Sequence, residues 1–353
     1  MIKDLHLKDI FNSPLKKCLK KNTNYNFDFI SLYGSFYITS ESYLPICSNS
    51  FFTSTDLFGF YEKIKYRHLF TPEFYKVISS ENRNIETVQN GFVLGSTGNY
   101  YHDLIDCFSR IFSYDKDFLL HKSINKLIIG DSKLVNILKE ILSVLKLEIS
   151  IYLLKENTLY KFENSIITAN KRFSRTVNLY RKFFMPENNN AFKKTFISRS
   201  DSVTRRIENE EEIVSFLKNY SYNIETLSNK SLQQQIDLFS SSKIIITMHG
   251  AALTNLLFTP KYSTVIEITN DFYEKKQDWF SEKNSTKFNK YTRSMYNFIA
   301  LECKINHYYY FSKIVNSNYN NIEFDFQKFT HSNLLVDIDQ FKKNFIFWIN
   351  SKV

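Results

Sequence analysis

The strongest constraint on this chain is an alternation between residues 194 and 269. KTFISRS, NIETLS, KIIITM and STVIEIT read as four short strands, each closed by turn residues. Between them, NEEEIVSFLKNY, SLQQQIDLFSSS and ALTNLLF carry helical spacing. Parallel neighbours need a crossover, and a helix supplies it. Strict alternation therefore predicts an α/β fold with a doubly wound parallel sheet. KIIIT is apolar throughout, as a strand covered on both faces should be. Ligands of such sheets bind beyond the carboxyl ends of the strands.

The first half repeats this grammar less regularly. GFVLGS, KLIIG and EISIYLL read as strands, with YYHDLIDCFSRIFS and DSKLVNILKEILSVLKL as helices between them. That is a βαβ arrangement, and IITAN (166–170) adds a further strand. Within the first 90 residues only aromatic runs such as FDFISLYGSFYITS suggest strands. KRFSRTVNLYRKFFMPENNN (171–190) reads as a connector, basic and aromatic first and then rich in turn residues. Helices are expected around 290–304 and 337–350. The resulting domains are 1–185 and 186–320, with a closing segment 321–353 whose helix is expected to pack back toward the first domain. Two α/β halves predict a ligand cleft between them.

At 353 residues the chain is long enough for two domains. Apolar residues at 43% and charged residues at 23% exclude a disordered chain. The formal net charge of +10 points to an anionic partner: nucleic acid, an anionic membrane face or a phosphate-bearing small molecule. Lysine codons in an AT-rich genome explain it equally well. Cys18, Cys47, Cys107 and Cys303 form no CxxC pair, which argues against a zinc site and for a reducing compartment. No stretch reaches the ~18 uncharged apolar residues of a membrane span, and the first residues lack an apolar signal core. A cytoplasmic protein is expected, with possible peripheral contact at an anionic membrane.

Three stretches carry candidate chemistry. MHGAALTN (248–255) puts His249 and Gly250 at the carboxyl end of KIIIT, where a helix begins. A helix start presents unpaired amides and a positive dipole end, Gly250 permits close backbone approach, and His249 adds a donor. Together these suit a diphosphate. The alternative is a tight turn with His249 bonded to a backbone carbonyl. In SRSDSVTRRIENEEEI, Arg199 ends a strand, with Arg205 and Arg206 shortly after, and a guanidinium fork matches phosphate oxygens. Arg205 and Arg206 could instead pair with Glu208, Glu211 or Glu212. In GSTGNYYHDLIDCFSR, His102 and Asp106 are four apart on one helical face, a base and its orienter, or else a packed histidine beside a solvated acid.

Taken in order, NYYHDLID, FISRSDSVTRRIENEEEI and LSNKSLQQQIDLFSSSKIIITMHGAALTNLLFTPKYSTVIEI resemble glycosyltransferase family 61, which includes capsular polysaccharide enzymes. SMYNFIALECKINHYYY is similar to the tyrosine-containing tail of that family, and HGAALTN is the more specific for following Gln235 and Phe239. The resemblance covers roughly 92–112 and 194–311. It implies a GT-B-like fold, two Rossmann-like domains facing across a cleft. It also implies an inverting transfer from a nucleotide-sugar, usually a UDP-sugar, to a glycan or lipid-linked glycan hydroxyl, with no metal and no other cofactor. By the same resemblance, Arg199 and His249, with the amides of Gly250, Ala251 and Ala252, bind the diphosphate, and Arg205 assists. Glu267 and Asn255 fall at donor-nucleoside positions, with a structural role as the alternative for Asn255, and His102 or Asp106 is the base. Asp103 departs from the family pattern, which more often has an aromatic or apolar residue there. A degenerate member that binds nucleotide or glycan without turnover is the alternative. Nucleic acid, suggested by the interleaved Arg and aromatics of 171–184, is the weaker rival and is not expected as a partner.

Overall fold

The computed structural model describes residues 29–39, 46–47, 50–51, 85–130, 133–156, 158–170, 173–186, 191–270, 295–315 and 332–350. The chain divides into two units, Met1–Leu179 and Tyr180–Val353. Each is α/β and is built on one sheet dominated by parallel strands. Among the described residues no helix is long and apolar enough to cross a membrane.

The first unit holds β1 (Phe29–Thr39), β2 (Ile46–Cys47), β3 (Ser50–Phe51), β4 (Ile85–Gln89), β5 (Gly91–Val93), β6 (Lys126–Ile129), β7 (Ser150–Leu153) and β8 (Leu159–Asn170). Their order is β3-β2-β1-β8-β5-β6-β7. From β8 to β7 the pairing is parallel, as the βαβ pattern predicts. β4 and β5 share β8, β4 on its first half and β5 on its second. Asn90 makes the step between them with φ of 59°, a left-handed value that asparagine tolerates. IITAN proves to be the end of the twelve-residue β8. Beyond β8 the expectation of parallel pairing fails, because β1, β2 and β3 run antiparallel. FDFISLYGSFYITS supplies β1, and Phe36 stacks on its cross-strand partner Phe162 at 5.4 Å.

Between β6 and β7, helix α3 (Val135–Val144) buries Ile137, Leu138, Ile141 and Leu142. It follows α1 (Tyr100–His102) and α2 (Lys116–His121) in the chain, the latter capped by Asp115, which accepts from the amide of Phe118 at 2.7 Å. Residues 173–184, read as a connector, form helix α4 (Phe173–Phe184), in which the division between the units falls. Val177, Tyr180 and Phe184 are its buried apolar residues, at spacings of one and two turns. Basic and aromatic composition hid that stripe.

The second unit contains β9 (Lys193–Ile197), α5 (Glu210–Lys218), β10 (Asn223–Glu225), α6 (Leu232–Ser240), β11 (Ser242–Met248), a 3₁₀-helix (Ala251–Phe258), β12 (Thr264–Asn270), α7 (Met295–Glu302), β13 (Asn306–Ile314), β14 (Leu334–Leu335) and α8 (Ile338–Asn350). The order is β10-β9-β11-β12-β13-β14, with the first five strands parallel. From β9 the chain steps to β10 on one side, then returns to place β11 on the other. The strand order therefore reverses between β9 and β11, where sheets of this kind leave a crevice at their carboxyl ends.

One face of this sheet is apolar. Ile246, Met248, Ile266, Ile268 and Tyr310 pack with Ile213 and Leu217 of α5 and with Phe341, Phe345 and Trp348 of α8. The sequence reading sent the closing helix back toward the first domain. Its aromatic stripe instead lies in the core of the second unit, because that sheet face offers matching apolar surface. Burial of each such ring is worth roughly 1.5–3 kcal/mol. Tyr310 also donates its hydroxyl to the Asp337 carbonyl at 2.8 Å, and burial pushes its pKa up to about 12. The opposite face, in register with Thr247 and Glu267, carries the polar groups of the candidate site.

Candidate active site

β9 and β11 deliver the arginine and the histidine expected from the sequence. Arg199 lies two residues beyond β9, and His249 directly follows β11. Both stand at the carboxyl ends of the strands that flank the reversal of strand order. The guanidinium of Arg199 lies directly against Gly250, so that a Cβ at 250 would overlap Nη1. The close approach that the glycine permits is thus by this side chain. Gly250 leads into the 3₁₀-helix, whose first internal bond runs from the Leu253 amide to the Gly250 carbonyl at 3.0 Å. The amides of Ala251 and Ala252 precede that bond.

Arg199 is held by its own loop. Its Nε donates to the Arg205 carbonyl at 2.9 Å, and Nη2 donates to Ser202 Oγ at 3.0 Å. Burial, then the charge of Arg205, pulls its pKa below the usual arginine range, while Asp201, Tyr296 and Glu210 act the other way. Arg205 takes a left-handed conformation, φ 57°, which folds the loop back on itself. Its Nε is buried and has no hydrogen-bond partner among the described residues. Two guanidinium groups share this corner, one with an unspent donor. Arg206 turns elsewhere: its Nε donates to the Ser202 carbonyl, and its backbone pairs with Asn333 and Leu334. Glu210, the first residue of α5, closes the strand end by accepting from the Ser198 hydroxyl and, at 3.3 Å, from the Arg199 amide.

His249 meets a buried carboxylate. Its Nδ1 lies 2.5 Å from Oε1 of Glu267, and Nε2 of His307 lies 2.9 Å from Oε2. Glu267 is 1% exposed. Burial alone would raise its pKa, but the two imidazoles outweigh that and hold it at about 2. Tyr296 sets its ring edge-on to His249 at 5.4 Å. Glu267, expected at the donor nucleoside, sits inside the β12 ladder, opposite Thr247, where its carboxylate contacts His249. Asn255 is withdrawn from any ligand. It is fully buried, and its Nδ2 donates to Gln235 Oε1 at 2.8 Å, tying the 3₁₀-helix to α6. That bond accounts for the pairing of HGAALTN with an upstream glutamine. Arg181 of α4 completes the support by donating to the carbonyls of Leu257 and Thr259, at 3.1 and 2.8 Å.

In the first unit, the chain leaving β5 runs through Gly95 and Gly98, both at positive φ, to α1. Asn99 caps α1 by accepting from the amides of Tyr101 and His102. The helix then widens into a π-turn, Asp103–Cys107, a geometry often found at functional sites. His102 Nδ1 lies 2.7 Å from Asp106 Oδ2, both partly exposed, as the four-residue spacing predicts. Asp103 is fully buried and accepts from the amide and hydroxyl of Thr97, at 2.5 and 2.9 Å. Its acidity serves the loop, which accounts for the departure from an apolar residue there.

The sequence reading missed His307, Tyr296 and Glu210. Tyr296 lies in the quoted tail motif and Glu210 in an acidic first turn, so both left a local trace. His307 lies in the same quoted tail, but only the pairing of β12 with β13 brings it to Glu267. Among the described residues no group of three or more His, Cys, Asp or Glu is arranged to hold a metal ion.

The comparisons agree with the motifs. The family model described as Glycosyltransferase 61 matches residues 100–266, a stretch that runs from α1 into β12. The chain is also similar to the EGF domain-specific O-linked N-acetylglucosamine transferase of Drosophila melanogaster, at 34% identity over 79 residues. That match covers 22% of this chain and 15% of the fly protein, so the chain matches only a small part of its relative's length. The stretch matched by the family model holds His102, Asp106, Arg199, Arg205 and His249 and stops one residue short of Glu267. Sequence motifs and family model thus agree on one stretch: residues 100–266 are similar to the Glycosyltransferase 61 family.

Proposed function

We propose that this protein is an inverting glycosyltransferase that binds the diphosphate of a UDP-sugar in its second unit and transfers the sugar to a glycan hydroxyl. The observation that carries this reading is the guanidinium of Arg199 laid on Gly250 at the reversal of strand order, beside His249. The buried, unspent donor of Arg205 next to it supports an anion of more than one charge.

The chemistry follows from where charge moves. As the acceptor hydroxyl attacks the anomeric carbon, it loses a proton and the nucleoside diphosphate gains negative charge. His102, oriented by Asp106, takes the proton, a role worth ~10²–10⁴-fold. Arg199, His249 and the amides of Ala251 and Ala252 stabilise the departing diphosphate, by about 3–4 kcal/mol per well-aimed donor. In this scheme fixed cations and amides do the work that a divalent ion does elsewhere, so transfer continues in excess chelator.

The decisive experiment is a thermal-shift panel of UDP-, GDP-, CMP- and dTDP-sugars, followed by UDP release with and without acceptor. Stabilisation by one nucleotide class identifies the donor, and no shift with any would defeat the reading. Release only with acceptor separates an enzyme from a binding protein. For the acceptor we propose a surface polysaccharide met at the inner face of a membrane. Similarity to a transferase named for EGF domains supports a second acceptor, a protein hydroxyl. Offering both kinds to the stabilised complex decides between them.

A further inference from the structure

A row of three side chains crosses three adjacent strands: His249, partly exposed, after β11, and Glu267 on β12 and His307 on β13, both buried. Stability alone does not explain it. The His307 side chain is 2% exposed and the Glu267 side chain 1%, and apolar residues of similar volume usually stabilise such a site as well or better.

The row has a consistent proton arrangement. An ionised carboxylate offers only lone pairs, so the ring nitrogens that meet it carry hydrogens. His307 presents its Nε2–H to Oε2 of Glu267 at 2.9 Å, off the line of an aligned hydrogen bond. Its Nδ1 faces the amide nitrogen of Asn297 at 3.4 Å, a donor, so that nitrogen accepts. His307 is itself fixed by stacking on Tyr309 at 4.7 Å, and Tyr309 stacks on Phe311 at 6.0 Å. One oxygen of Glu267 is thus clamped from β13, and the other meets Nδ1 of His249. With Nδ1 committed to the carboxylate, Nε2 is the polar atom through which His249 meets a ligand.

We propose that His307 is a positioning residue: by holding the second oxygen of Glu267 it fixes the imidazole of His249 for the pyrophosphate. This rests on the functional reading above for the identity of the ligand, but not for the geometry. His307 lies beyond the family-model match, which ends at 266.

The test compares His307→Phe, which keeps the ring and removes the donor, with His307→Gln, whose amide can restore it. Two readouts are taken. The first is UDP affinity by calorimetry at neutral pH. The second is the hydrogen-bonded Nδ1 proton of His249 by NMR of the ligand-free protein, assigned by its loss in His249→Ala. His307→Phe is expected to weaken UDP binding about tenfold, the cost of one hydrogen bond to a charged group, and to broaden or shift the His249 proton. His307→Gln should restore both. If the phenylalanine variant does not fold, His307→Asn, whose shorter amide falls short of Oε2, takes its place. An unmoved His249 proton in the donor-less variant overturns the proposal, as does wild-type UDP affinity there. If the wild type binds no UDP, the functional reading fails, and the NMR readout still decides the role of His307.

Discussion

Arg199 and Gly250 are geometrically exclusive of any larger pair: the guanidinium occupies the space where a side chain at 250 would begin. Arg199→Ala should lower kcat/KM more than tenfold without altering the thermal melt, since the group contributes charge and not core. Gly250→Ala should reproduce most of that loss by displacing the guanidinium. The double variant should be little worse than either single, because both remove one interaction. A fully active Gly250→Ala enzyme would separate the two residues.

Glu267 gives the fold an acid-sensitive component. Its pKa is about 2 in the folded protein against an ordinary 4.5, so between these values the unfolded chain binds more protons. Its contribution to stability is complete above the ordinary value and drains as pH falls through the folded one. Denaturant midpoints measured from neutral pH downward should fall more steeply for wild type than for Glu267→Gln. Parallel curves would mean that the carboxylate is not held by its histidines.

His102 should act on the chemical step. His102→Ala is expected to reduce kcat by ~10²–10⁴-fold with donor affinity near wild type. Asp106→Asn should have a smaller effect of the same kind, because it disturbs the orienting contact at 2.7 Å and leaves the base in place. A defect in donor KM alone would remove the base assignment.

Asn255 should behave as a structural residue. Asn255→Ala strands the Gln235 carbonyl in the interior, which costs about 1–3 kcal/mol. Thermal unfolding should register that loss while UDP affinity stays near wild type. The reverse pattern would return Asn255 to the ligand.

The legible parts of this protein were those written locally. β11 declares itself by a run of buried isoleucines, and α6 by a capping box between Ser231 and Gln234. Arg199 and His249 could be read because each sits next to its strand end in the chain. The pairing of β1 with β8 could not, since Phe29 and Asn170 share no local pattern that sets their register. The surroundings of Glu267 were hidden for a related reason. Its chemistry is fixed by partners on the two neighbouring strands, and neither spacing nor composition along β12 reports them. In α4 the spacing of Val177, Tyr180 and Phe184 was present, but charge and aromatic content drew attention from it.

The bond pair from Thr97 to Asp103 has a consequence for redesign. Thr97 lies on the glycine-flanked segment between β5 and α1, far enough from His102 in the chain to look like replaceable surface. Yet it anchors the residue that follows the histidine. A graft that replaced this loop would therefore detach the turn that carries His102 unless it kept a hydroxyl and an amide at that one position.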